Sequence, residues 1–102
     1  MANRTGFAIT GSRGFHVTFK SGVTVSVQFG VANYCEHHHG DFSMVGKEKE
    51  QRHWESIDAE VALWDEEGTF ITKQYFDDDE VHGWLMPDEL PALLAWAANY
   101  KE

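Results

Sequence analysis

Between Gly14 and Phe29 the sequence alternates with a period of two. Phe15, Val17 and Phe19 are separated by His16 and Thr18, and Val23, Val25, Val27 and Phe29 by Thr24, Ser26 and Gln28. In an extended chain every second side chain lies on the same side, so both runs read as strands with one apolar and one polar side. Ser21 and Gly22 stand between them, and Gly22 can take the positive φ that a tight antiparallel turn requires. This hairpin commits the chain to a sheet, one face of which needs an apolar cover.

The remaining segments supply partners for it. Phe7 to Thr10 reads as an earlier strand that ends at Gly11. From Ile57 the period of two returns, with Ile57, Ala59, Val61 and Leu63 on one side and Asp58, Glu60, Ala62 and Trp64 on the other. Asp65 to Gly68 then reads as a turn, Thr69 to Phe76 as a further strand, and Val81 to Leu85 as a short edge strand weakened or bulged at Gly83. Leu90, Leu93, Leu94 and Ala97 recur at helical spacing. Asp88 is the expected N-cap, because a start at Pro87 would carry Pro91 deeper into the helix. The expected fold is α+β: an antiparallel sheet of four or five strands with a C-terminal helix packed on one face. A long loop, Gly30 to Glu55, follows the first hairpin and has no sustained period. At 102 residues and 42 % hydrophobic composition the chain, residues 1–102, is expected to form a single domain with a small core.

Composition narrows the function. Eight basic against seventeen acidic side chains give a net charge of −9, which disfavours direct nucleic-acid binding through phosphate neutralisation. The acidity is uneven: residues 1–50 hold five basic and four acidic side chains, residues 51–102 three and thirteen. The longest apolar run, Ala92 to Ala98, is far too short to span a membrane, and Met1 to Gly14 lacks the apolar core of a secretory signal. With Cys35 as the lone cysteine there is no internal disulfide. A soluble, cytoplasmic protein is therefore expected.

Several residue groups could carry chemistry. On extended backbone Cys35, His37 and His39 would project together and could hold zinc or copper, with Glu36, Asp41 or His53 completing the shell; a polar loop of freely titrating histidines is the competing reading. Cys35 as a nucleophile would need His37 or His16 as base, and no third orienting residue is evident. The polar side of the hairpin offers His16, Ser26 and Gln28, which Glu60 joins if the third strand pairs alongside. These form either a solvated face or the floor of a small-ligand site, where Tyr34 or Trp64 stacks on a flat ring and Gln28 and Asn33 read its edge. Lys47, Lys49, Arg52 and His53 could meet phosphate oxygens or form a salt-bridged turn. Asp77, Asp78, Asp79 and Glu80 form either a solvated turn or a patch that occupies a partner's basic groove. Trp54, Trp64, Trp84 and Trp96 are too many for so small an interior, so some are expected at a subunit or partner interface.

The stretch from Gly14-Phe15-His16 through Thr24-Val25-Ser26-Val27-Gln28-Phe29-Gly30 to Asn33-Tyr34-Cys35, with Ala59 to Asp65 and Met86-Pro87-Asp88-Glu89-Leu90, resembles small accessory proteins encoded by tailed bacteriophages. That resemblance covers most of the chain. It implies a host-takeover or counter-defence role exerted in the cytoplasm of the host cell. Taken together, the expectation is a non-enzymatic, homo-oligomeric binding protein without cofactor that sequesters a small nucleotide-like signal molecule. The alternatives are an acidic inhibitor docking on a host protein through Asp77 to Glu80, and a metal-binding protein using Cys35, His37 and His39.

Overall fold

A computed structural model of the chain describes residues 4–11, 13–38, 54–77 and 79–101. Five strands, β1 (Gly6–Thr10), β2 (Gly14–Thr18), β3 (Thr24–Gln28), β4 (Ala59–Trp64) and β5 (His82–Leu85), form one sheet in the order β1-β2-β3-β4-β5, every pair antiparallel. A short helix, α1 (Thr72–Phe76), lies between β4 and β5. A 3₁₀ turn (Pro87–Glu89) leads into the C-terminal helix α2 (Leu90–Ala98), which makes the protein a small α+β fold.

The alternating pattern decides which side is apolar. Register sets Phe15 beside Val27 and Val61, and Val17 beside Val25 and Leu63. The valines and Leu63 belong to one buried cluster with Val23, Ile71, Leu85 and, from α2, Leu93 and Ala97, and half-buried Phe15 packs against it. Burying a side chain such as Leu63 or Leu93 stabilises the fold by about 1.5–3 kcal/mol. Gly22, at φ 95°, closes the β2–β3 turn with its N–H on the Phe19 carbonyl, and the Ser21 hydroxyl donates to the Ala97 carbonyl at 2.7 Å. The hairpin turn is thereby tied to the far end of α2.

Two expectations are corrected. Thr69 to Phe76 is not a strand: a single bridge joins Phe70 to Trp64, and the chain turns into α1. The position beside β4 that such a strand would fill is held by β5, whose register against β4 shifts between Ala59 and Val61. Buried Thr72 makes the helical turn workable, because its hydroxyl accepts from Leu63 N–H at 2.9 Å and donates to the Glu80 carbonyl at 2.7 Å. The helical start also lies at Pro87 rather than after an Asp88 cap. Glu89 reaches back to accept the Met86 N–H at 2.7 Å, so a carboxylate at the third position closes the first turn. Pro91 still falls in the first turn of α2.

Candidate functional site

The side of the sheet away from the core carries the hydrogen-bonding residues that the alternation predicts. Register aligns His16 with Ser26 and Ala62, Thr18 with Thr24 and Trp64, and Gln28 with Glu60. Their polar groups meet one another. The Thr18 and Thr24 hydroxyls are 2.8 Å apart in a buried cross-strand pair. Gln28 Nε2 donates to Thr10 Oγ1 at 2.6 Å and to Ser26 Oγ at 3.2 Å. The Glu60 carboxylate takes Asn33 Nδ2 on one oxygen and the Tyr34 N–H on the other, both at 3.1 Å, and Asn33 Oδ1 accepts the Gly30 N–H. The His16 ring stands edge-on to Trp64, with centroids 5.0 Å apart. Burial pushes the His16 imidazole below its ordinary pKa of 6.5. Gln28, Ser26 and Thr10 thus form one hydrogen-bonded group, Glu60, Asn33 and the Tyr34 main chain a second, and His16 with Trp64 an aromatic pair.

The Glu60 group braces the chain after β3 against β4. Glu36 and Asp58 add to it reciprocally: Asp58 Oδ1 accepts the Glu36 N–H at 2.8 Å, and Glu36 Oε1 accepts the Ile57 N–H at 2.7 Å. The Tyr34 ring, 42 % exposed, lies 4.7 Å from His38 and 5.6 Å from Trp84. Trp84 takes the left-handed conformation at φ 54°, and its N–H donates to the Tyr34 carbonyl at 2.9 Å.

On the core side, where β3 ends and β4 begins, lies an apolar cleft of about 290 Å³. Val27, Phe29, Ala59 and Leu85 come from the sheet and its margins, Met86, Pro87 and Leu90 from the approach to α2, and Trp54 to Asp58 from the segment entering β4. Trp54 is a fixed wall. Its indole Nε1 donates to the Phe29 carbonyl at 3.0 Å, and the His37 ring stacks on it at 4.4 Å. His37 is held in turn, with Nε2 donating to the Glu55 carbonyl at 2.7 Å. The ionisable residues lining the cleft, Glu55 and Asp58, are acidic. None of the seven ligand-binding residues expected from the sequence lines it. A second, more polar depression of about 480 Å³ lies between β1 and β2 and includes His16 and Thr18.

Sequence reasoning missed this cleft because its walls come from three separate stretches of chain, and no local motif joins Phe29, Trp54 and Leu90. The available signal was the apolar row itself: Phe29 continues the core-facing row of β3 past the last paired residue.

The other expected constellations are not assembled among the described residues. Residues 35–38 form turns, with Cys35 N–H on the Asn33 carbonyl and His38 N–H on the Cys35 carbonyl, so the extended backbone that would aim Cys35 and His37 the same way is absent. Cys35 is 1 % exposed, and burial raises its thiol pKa, which keeps it protonated at neutral pH and a poor nucleophile or metal ligand. Among the described residues no group of three His, Cys, Asp or Glu is placed to hold a metal ion. His39, Asp41, Lys47, Lys49, Arg52, His53 and Asp78 lie outside the described residues. Of the acidic run, Asp77 closes α1 in the left-handed conformation, Asp79 accepts the Glu80 N–H, and the Glu80 carbonyl receives Thr72. No helix among the described residues is long and apolar enough to cross a membrane. No family model, curated protein sequence or solved structure matches the chain.

Proposed function

We propose that the protein is a non-enzymatic binding protein that takes up a small molecule with a flat, largely apolar ring in the cleft between the sheet and the start of α2. The observation that carries this reading is the Trp54 wall, held at its edge by the Phe29 carbonyl and on one face by His37, so that a cleft-lining aromatic is already fixed in place for a ligand to pack on. Glu55 and Asp58 disfavour a concentrated negative charge there, which selects a neutral or cationic ring such as a nucleobase or nucleoside over a polyphosphate. Combined with the resemblance to phage accessory proteins, the role this serves is counter-defence by sequestering a nucleotide-like signal.

At about 0.3 kcal/mol per non-hydrogen atom, a ligand of about fifteen atoms binds with a Kd of roughly half a millimolar. Titrating the labelled protein with adenosine, indole and ATP, and following the Trp54 indole N–H by NMR, tests it. Adenosine or indole is expected to give a saturable shift that is lost in Trp54→Ala, with ATP at least tenfold weaker. Absence of a saturable shift with any of the three overturns the reading.

A further inference from the structure

The sheet has one outer strand that is finished and one that is not. No strand lies beyond β1 among the described residues. Register sets its Phe7 and Ile9 opposite Val17 and Phe15, on the core side, yet they are 87 % and 86 % exposed.

The main chain tells the same story. Phe19 N–H donates to the Val23 carbonyl, so Phe19, Val17 and Phe15 turn their main-chain groups towards β3. Alternation turns those of Thr18, His16 and Gly14 towards β1. It leaves Phe7 and Ile9 with N–H and C=O aimed away from the sheet. The same two residues therefore present exposed apolar side chains and outward hydrogen-bonding groups. Gly6-Phe7-Ala8-Ile9-Thr10 pairs with β2 in unbroken register and holds no proline and no charge, the usual devices that keep an edge from pairing.

We infer that the chain self-associates through β1, two copies pairing antiparallel about a two-fold axis at Ala8 into one continuous sheet. The sequence of β1 is self-complementary in this register. Phe7 falls opposite the partner's Ile9 and Ile9 opposite the partner's Phe7, so each outward N–H meets an outward carbonyl and the apolar side chains share one face.

Charge permits the approach despite −9 on each copy. No acidic residue precedes Glu36, and thirteen of the seventeen lie after residue 50. β4 is three strand spacings from β1, about 14 Å, and the acidic half of the partner is farther still. Both distances exceed the Debye length of about 8 Å at physiological salt. Covering two Phe and two Ile at these exposures removes roughly 600 Å² of apolar surface, short of the roughly 1,200 Å² of a stable interface. The assembly is accordingly a weak, reversible dimer.

Sedimentation velocity on the full chain from about one micromolar to about one millimolar, with Ile9→Pro and Phe7→Lys alongside, decides the matter. Ile9→Pro deletes an outward donor and leaves the β1–β2 ladder its hydrogen bonds; Phe7→Lys keeps the whole main chain and adds a like charge on each copy. The expected result is a monomer–dimer transition in the native chain, with concentration-dependent protection of the Phe7 and Ile9 amides from hydrogen exchange. The dissociation constant should rise at least tenfold in each folded variant. A native chain that stays monomeric throughout overturns the inference, whether or not its edge captures an acidic extended peptide. So does a dimer unchanged in folded Phe7→Lys, which would have to use another surface.

Discussion

β5 ends the sheet with a register shift against β4, a glycine packed against Tyr34 and a tryptophan in the left-handed conformation whose N–H is taken by the Tyr34 carbonyl. β1 ends it with five residues in unbroken register against β2 and two nearly bare apolar side chains. Both are outer strands of one sheet, but only one is shaped to refuse another. The bulge and reversed φ at β5 twist its edge away from further pairing, and the acidic run before it adds charge. Among the described residues nothing comparable protects β1, and that is the edge through which we infer self-association.

The two glycines beside these edges offer the largest test of that contrast. A Cβ on Gly14, where β2 begins, would overlap the Val27 carbonyl and come within 2.9 Å of Gln28 Cα, both main-chain atoms of a central strand. A Cβ on Gly83 in β5 would meet the Tyr34 Cβ at 2.6 Å and the Tyr34 carbonyl oxygen at 3.2 Å, a smaller overlap with atoms on an irregular segment. Gly14→Ala should therefore cost about 3 kcal/mol or more and weaken β1 pairing with it. Gly83→Ala should cost less, about 2 kcal/mol, because the overlap is smaller, although the braced Tyr34 main chain has to move to relieve it. Urea midpoints of the two variants check the order; equal losses would mean that the two sides of the sheet are equally rigid.

The next largest effect concerns how the β5 edge is attached. Thr72 satisfies the Leu63 N–H and the Glu80 carbonyl with one buried hydroxyl, linking β4 to the segment that enters β5. Thr72→Val keeps the shape and strands both partners, for an expected loss of about 2–3 kcal/mol. Thr72→Ser keeps both hydrogen bonds and should lose about 1 kcal/mol for the missing methyl. Amide exchange in Thr72→Val should accelerate in β5 well before β1.

Much of this contrast was legible in the sequence, and the part that was not has physical reasons. The alternation at Phe15 to Phe29 and Ala59 to Leu63, with Gly22 in the turn, marks the central strands because burial on one side only imposes a period of two. Gly83 marks the irregular strand correctly. Thr69 to Phe76 does not alternate: Phe70 and Ile71 are neighbours, as are Tyr75 and Phe76 one helical turn on, and the segment becomes a bridge and a helical turn while β5 occupies the slot beside β4. Gln28, Asn33, Tyr34 and Glu60 were expected to face a ligand, but sequence could not tell that Gln28 would bond Thr10 and Ser26 while Glu60 took Asn33 and the Tyr34 N–H. Phe7 and Ile9 show the same limit, because a strand pattern does not disclose whether the helix reaches that far.

The smallest expected effect lies on β2, between the two edges. Burial of the His16 ring against Trp64 disfavours its protonated form, so the folded chain binds that proton less readily than the unfolded chain does. The sign follows: the stability is fully present above pH 6.5, the unfolded value, and is lost as pH falls through the lower folded value. His16→Gln removes the titration and keeps a polar side chain on the same face. As pH falls from 6.5 through the lower folded value, the native chain should lose more stability than the variant. Paired denaturation curves across that window read the difference directly, and carboxylates elsewhere cancel because both proteins carry them. If His16→Gln follows the native chain through that window, the His16 ring is open to solvent, and the β1–β2 side of the sheet is looser than its unbroken register implies.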